Sequence, residues 1–136
     1  MESKIKVSVI VNANLKKVWD YYTQPEHVTK WNFALDTWHC PYASNDLRVG
    51  GRYLARMEAK DGSFGFDFDA TYTDVQHLKQ LSYVFGDREA TIHFNELNNQ
   101  TEVTIYFVPE NENSLELQRD GWQAILNNFK RYTESN

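Results

Sequence analysis

The sequence of 136 residues predicts one α+β domain spanning 1–136, in which a curved antiparallel sheet of about six strands surrounds a long C-terminal helix. Three observations predict this fold. Apolar and polar residues alternate in several short segments, turn residues separate those segments at hairpin spacing, and the last segment has an apolar residue every three or four positions. The sheet must cover its apolar face, and only the C-terminal helix is long enough to do so.

A strand and two short helices are predicted first. Residues 4–11 alternate with the two-residue period of a half-buried strand. Asn12 is a candidate N-cap for a helix that ends near Thr23, because large apolar residues follow it at helical spacing. Thr23 and Glu26 have the spacing of a capping box, which predicts a second short helix to about Trp31.

Residues 32–45 follow neither period but are rich in large apolar side chains. Long loops in compact domains are usually functional or disordered, and disordered segments are poor in aromatic residues. We therefore expect an ordered lid over a cavity, with residues 33–42 acting as the gate.

The remaining strands are expected to form a meander over residues 47–59, 63–75, 78–85, 90–97 and 102–109. Tight turns are predicted at three residue pairs typical of them, Asp61-Gly62, Gly86-Asp87 and Asn98-Asn99. Gly50-Gly51 predicts a bulge or bend where the sheet curves.

Charge indicates which face of the first hairpin points inward. If Arg52 and Arg56 share a side with Asp67 and Asp69, opposite charges pair across the strands, a simpler account of the aspartates than an acid/base pair. The opposite register would expose a row of phenylalanines to water. The favoured register places these side chains on the inner face: Tyr53, Met57, Phe66 and Phe68. The same argument for the last two strands turns these inward: Ile92, Phe94, Val103, Ile105 and Phe107.

The last segment, 114–132, is predicted to be a helix capped by Asn113. Gly121 in its middle costs about 1 kcal/mol relative to alanine. Close approach of a strand, a lid or a ligand would explain the glycine, and tight packing of the helix on the sheet would explain it equally well. The helix residues expected near a ligand are Gln118, Trp122 and Phe129.

Composition argues against several classes of function. The formal net charge is −5, both signs are interspersed, and no basic cluster suggests a nucleic-acid partner. The single cysteine, Cys40, cannot form an internal disulfide or a multi-cysteine metal site. No N-terminal stretch resembles a signal peptide, and no apolar run approaches the ~20 residues that span a bilayer. We expect a cytoplasmic protein without membrane insertion.

Candidate chemistry is sparse. The four histidines share no spacing, so neither a metal site nor a cofactor is expected. His39 is either a polar contact at the mouth of a cavity or a residue that packs the lid. Tyr53, Tyr72 and Tyr83 could donate a hydrogen bond to a ligand carbonyl, or could satisfy their hydroxyls within the protein. No catalytic residue is predicted.

The predicted binding site is a cavity between sheet and helix for a small, largely apolar molecule. The aromatic share of 15% supports it, because aromatic side chains commonly line ligand cavities. The residues expected to bind the ligand are Trp38, His39, Tyr53, Met57, Phe66, Phe68, Gln118, Trp122 and Phe129.

Four stretches carry a resemblance to a known family: Trp38-His39-Cys40-Pro41, and residues 46–52, 61–68 and 118–129. In these stretches, and in their order over essentially the whole chain, the sequence resembles bacterial SRPBCC proteins of the branch related to the activator of the heat-shock protein 90 ATPase. The resemblance implies the helix-grip fold of the START and Bet v 1 superfamily, whose members hold hydrophobic ligands between sheet and helix. Some relatives are polyketide cyclases or aromatases.

Three functions remain open from the sequence. The first is a module that binds a hydrophobic, lipid-like or polyketide-like ligand. The second is an enzyme of cyclase, aromatase or hydrolase type that uses His39 or a tyrosine of the same cavity. The third is a chaperone-associated interaction module. The eukaryotic activator resembles this chain only in its C-terminal domain, so the resemblance does not imply a chaperone partner. Exposed sheet edges would allow a homodimer.

Overall fold

The computed structural model describes residues 4–136 and confirms the predicted α+β, helix-grip fold. Along the chain the elements are β1 (Ile5–Val11), α1 (Leu15–Thr23), α2 (Pro25–Trp31), β2 (Trp38–Asn45), β3 (Arg52–Ala59), β4 (Gly65–Gln76), β5 (Gln80–Phe85), β6 (Arg88–Leu97), β7 (Gln100–Phe107) and α3 (Leu115–Ser135). The strands form one curled antiparallel sheet in the order β1-β7-β6-β5-β4-β3-β2. α3 packs against β1 and α2, and α2 packs against β2.

The sheet has seven strands rather than about six, because the second half of the predicted lid is strand β2. β2 pairs with β3 at one edge of the sheet, and a bulge between His39 and Tyr42 interrupts the pairing. Pro41 lies in this bulge, on an edge strand, where the missing backbone N–H is tolerated. The side chains of β2 do not alternate between buried and exposed, so no two-residue period marked it in the sequence.

The predicted helix starts are displaced by one or two residues. Asn14 rather than Asn12 caps α1, and Ser114 rather than Asn113 caps α3; each accepts a hydrogen bond from a backbone N–H of the first turn. The capping box predicted at Thr23 does not form, because the Thr23 hydroxyl donates to a carbonyl one turn earlier in α1.

The predicted register of the first hairpin is confirmed. The guanidinium of Arg52 contacts the carboxylate of Asp69 at 2.6 and 2.7 Å, and that of Arg56 lies 3.4 Å from Asp67 on the same outer face. The opposite face of the sheet turns toward α3. The largest side chains that it and α3 bury completely are Leu81, Ile92, Phe107, Leu126 and Phe129.

Gly50-Gly51 lies immediately before β3, not within a strand as the sequence suggested. A Cβ at Gly51 would lie 1.9 Å from the carbonyl oxygen of Asp46, so only glycine fits this turn. The neighbouring backbone of β4 has its own bulge between Tyr72 and Asp74. The turn and the bulge together bend the β3–β4 hairpin over the inner face.

Candidate functional site

A cavity of about 220 Å³ lies between the inner face of the sheet and α3. Its apolar wall comes from α3 and from strands β3 and β4, chiefly through Trp122, Ile125, Leu126, Met57, Phe66 and Phe68. Ligand sites usually have roughly 300–1,000 Å³, so the space suits a small ligand.

The indole of Trp122 is held in the cavity wall by the sheet. It stacks on the completely buried ring of Phe107, with 4.0 Å between ring centroids and 9° between planes. The ring of Phe85 lies 6.0 Å away. Because these contacts form within the protein, a ligand would meet a preformed aromatic surface rather than induce one.

Tyrosine side chains form another part of the cavity lining. Tyr53 and Tyr83 have ring centroids 6.1 Å apart, and the side-chain amide of Asn32 donates to the Tyr53 hydroxyl at 3.2 Å. Burial raises the pKa of Tyr22, Tyr53 and Tyr83 well above the usual range of phenols. These tyrosines are therefore neutral hydrogen-bond donors at neutral pH, not bases.

Tyr22 and Tyr83 both line the cavity, and each phenol carries one O–H donor. These phenols are therefore suited to bind a ligand that carries a hydrogen-bond acceptor.

Arg88 is the charged member of the described cavity lining. Its Nη1 donates to the carbonyl oxygen of Val108 at 3.2 Å, and its guanidinium carbon lies 4.6 Å from the centroid of the Phe85 ring. The side chain therefore lies along the sheet rather than pointing straight into solvent.

Among the predicted ligand-binding residues, five line the cavity: Tyr53, Met57, Phe66, Phe68 and Trp122. These are the residues that the charge-based register and the helical period turned toward each other. Phe66 is also 44% exposed, which places it at the entrance to the cavity.

The other four predicted residues lie outside the cavity lining. Trp38 packs at the sheet edge, 6.2 Å from the ring of Phe66, and the half-exposed His39 lies with its Nε2 3.7 Å from a carboxylate oxygen of Glu58. The amide of Gln118 instead binds the backbone of the loop before α3. Phe129 is completely buried behind the lining, against the rings of Tyr22 and Trp31.

Sequence reasoning missed several lining residues, most importantly Tyr22, Asn32 and Arg88. For Arg88 the sequence did contain a signal. Ile92 and Phe94 follow a two-residue period, and the same period continued back toward the preceding turn places Arg88 on their face. For Asn32 the sequence held no such signal, because it follows the end of α2 without any regular period.

Gly121 is not explained by tight packing. Among residues 4–136, a Cβ built there would have no atom within 4 Å, other than those of its own turn of helix. Neither the sheet nor the segment before β2 approaches this point, so the proposed close approach of a strand or a lid is wrong.

Nucleophilic and metal chemistry find little support in the site. Burial raises the pKa of the Cys40 thiol to about 11, and its S–H donates to the Tyr42 carbonyl at 3.4 Å. In the part of the chain that the structure describes, no group of three or more histidine, cysteine or acidic side chains is arranged to hold a metal. The arrangement is suited to binding an apolar body and completing a few hydrogen bonds.

Residues 12–134 match the model of one protein family, Activator of Hsp90 ATPase homolog 1-like protein. The AHSA1-like protein from Aeromonas hydrophila is 38% identical, with a TM-score of 0.87 over 96% of this chain and 93% of that one. Chr148 from Cytophaga hutchinsonii is 46% identical, with a TM-score of 0.84 over 98% of this chain and 93% of that one.

A more distant structure, protein CV1439 from Chromobacterium violaceum, has a TM-score of 0.85 at 21% identity over 98% of this chain and 99% of that one, and shows a common fold alone. None of the curated proteins matches the chain closely enough to indicate an activity. No helix within residues 4–136 is both long and apolar enough to cross a membrane.

Proposed function

Because the chain belongs to the family of Activator of Hsp90 ATPase homolog 1-like proteins and has their SRPBCC-type fold, we propose that it binds a small, largely apolar molecule between the sheet and α3. The observation that carries the proposal is the cavity of about 220 Å³. Protein interiors rarely retain voids much larger than a water molecule. A space of this size among aromatic side chains is therefore expected to serve a ligand.

The apolar wall supports the same conclusion. Removing apolar surface from water is worth about 25 cal/mol per Å², so the aromatic and aliphatic side chains that line the cavity favour an apolar occupant.

The polar side chains that line the cavity are better suited to orienting a bound ligand than to catalysing a reaction on it. Tyr22 and Tyr83 can donate hydrogen bonds, but as neutral phenols they do not accept protons. His39, the acid/base candidate of an enzyme, lies outside the cavity lining and beside Glu58. An enzymatic role consequently has less support than binding.

An interaction role rests on a small exposed aromatic cluster, formed by Trp38, Phe64 and Phe66. Phe64 is 62% exposed, and the Trp38 ring lies 5.9 Å from it and 6.2 Å from Phe66. Because Phe66 also lines the cavity, we assign the cluster to the cavity entrance rather than to a chaperone or other protein partner.

A fluorescence titration with the neutral probe N-phenyl-1-naphthylamine tests the proposal. Ile125→Trp fills the cavity from α3 and should weaken binding about tenfold or more, since the probe and the new indole compete for the same space. Ile10→Trp makes the same chemical change on a side chain that is 45% exposed on β1, and it should leave binding unchanged. Equal affinity in the two variants would contradict a ligand site in this cavity.

A further inference from the structure

Arg88 interrupts the apolar pattern on the inner face of the sheet. Along β6, the buried residues Ala90, Ile92 and Phe94 point inward, and the same two-residue period places Arg88 on their face. The intervening Glu89 is exposed on the other face. A departure from patterning of this kind is expected mainly at functional sites.

The protein supplies hydrogen-bond acceptors for only some of the N–H groups of the Arg88 guanidinium. A guanidinium has five N–H donors, and one of them is used by the carbonyl of Val108 at 3.2 Å. Among residues 4–136, no carboxylate lies within 4.0 Å of it. The carboxylate of Glu110 interacts electrostatically with Arg88, but it already accepts hydrogen bonds from the backbone and side chain of Asn113 at 2.7 and 2.9 Å.

The position of Arg88 suits an anion. The guanidinium carries a positive charge and lies half-buried against an apolar wall, where a charge without a counter-ion is poorly solvated. Its planar fork matches two oxygens of a carboxylate, sulfonate or phosphate. The ring of Phe85 packs against the guanidinium, whose described hydrogen bond goes to the carbonyl of Val108.

The apolar wall of the cavity lies directly beside Arg88. The Phe85 ring, which packs on the guanidinium, is 5.1 Å from the ring of Phe68 and 6.0 Å from the ring of Trp122. The Tyr83 ring is also close, 5.9 Å from Phe85. The cavity thus offers a cation, an aromatic wall and an uncharged hydrogen-bond donor close together.

We propose that the ligand is an amphipathic acid whose oxyanion binds Arg88 while its apolar body lies against Trp122 and Phe68. This inference rests on the proposed function and deepens it, because it specifies the ligand class for the same cavity.

Two probes that differ by one anionic group test the inference. 8-Anilino-1-naphthalenesulfonate carries a sulfonate that the neutral N-phenyl-1-naphthylamine lacks. In Arg88→Gln, the affinity for the sulfonate should fall about tenfold or more, because a charge-assisted pair is lost, whereas affinity for the neutral probe should change less than about twofold. Arg88→Lys retains the charge without the fork and should lose less.

Arg52→Gln is the matched control. It removes the same charge from the outer face, where Arg52 pairs with Asp69, and it should leave the affinity for both probes unchanged. Cooperative unfolding of each variant shows that the fold is intact. If Arg88→Gln does not fold, the wild-type protein decides: added salt should weaken binding of the sulfonate and not of the neutral probe.

The outcomes separate the two proposals. Failure of the neutral probe to bind the wild-type cavity overturns the proposed function. Normal binding of that probe, together with equal effects of Arg88→Gln on both probes or with salt-independent sulfonate binding, overturns the inference about the acid and leaves the binding function intact.

Discussion

At the level of single residues, Gly121 offers a direct test of helix energetics. Since a Cβ there meets no neighbouring atom, Gly121→Ala should raise the free energy of unfolding by about 1 kcal/mol. The reverse exchange three residues later in α3, Ala124→Gly, should lower it by a similar amount. Urea titration of both variants measures the effect. A loss of stability in Gly121→Ala would mean that this side of α3 is covered.

The buried tyrosines predict an alkaline loss of stability. Burial raises the pKa of Tyr83 well above its ordinary value of 10.0. Below that pH the phenol is protonated in both states, so it adds no pH dependence. Above it, the unfolded chain releases the proton first, and the free energy of unfolding falls by up to about 1.4 kcal/mol per pH unit for each such tyrosine.

Tyr83→Phe should therefore reduce this alkaline slope, which urea titrations at several pH values above 10.0 measure. Tyr42→Phe, at a position that is 55% exposed, is the matched control and should retain the slope. An unchanged slope in Tyr83→Phe would contradict the burial of its hydroxyl.

Individual site residues were predictable where two patterns converged. Charge pairing and alternation together turned Tyr53, Met57, Phe66 and Phe68 inward, and the structure places all four in the cavity lining. The helical period alone predicted less about the site. It placed Phe129 on the helix face toward the sheet, but it did not show that Trp31 and Tyr22 lie between Phe129 and the cavity. How far a side chain lies behind the cavity wall depends on how helices and strands pack against one another. The residue pattern of a single helix or strand does not contain that information.

At the level of elements, Gln118 anchors the start of α3. Its buried side-chain amide accepts from the backbone N–H of Glu110 at 2.8 Å and donates to the carbonyls of Glu110 and Asn113 at 3.1 and 3.0 Å. These bonds fix the loop that brings α3 onto the sheet. A polar residue on the apolar side of the helix is thus explained by the loop and not by the ligand.

Gln118→Met should lower the free energy of unfolding by about 1–3 kcal/mol, because it removes the hydrogen bonds of a buried amide to partly buried backbone groups of the loop. Gln123→Met loses the amide's bonds to the carbonyl of Ser8 and to Oδ1 of Asn127 within the same helix, and should cost about 0.5 kcal/mol or less because both partners remain accessible to water. Thermal unfolding of the pair measures the difference. Equal losses would show that the loop does not depend on Gln118.

Most elements were predictable, and β2 shows why one was not. The other strands alternate because one face is buried under α3. The β3–β4, β5–β6 and β6–β7 turns contain glycine, asparagine or aspartate, whereas the β4–β5 turn places Leu78 at a positive φ. β2 lies at the sheet edge, contains Pro41 and is interrupted by a bulge, so its pairing with β3 leaves no period in the sequence. Such a strand is specified by its neighbour rather than by its own pattern.

For the whole molecule, we propose that sheet and helices form a single cooperative unit. One core cluster includes residues from β1, α1, α2, the sheet and α3, with Val7, Val18, Val28, Ile92 and Leu126 among its buried members. Urea unfolding followed by tryptophan fluorescence and by far-ultraviolet circular dichroism should give coincident transitions. Separate midpoints would indicate two units.

Occupation of the cavity between the sheet and α3 by an apolar ligand can be observed in solution. The most direct measurement is the set of nuclear Overhauser effects between bound N-phenyl-1-naphthylamine and side-chain methyl groups of the protein. We predict contacts to the methyls of Met57, Ile125 and Leu126, all of which line the cavity. Contacts confined to exposed methyls such as those of Ile10, with none to these three, would contradict the account.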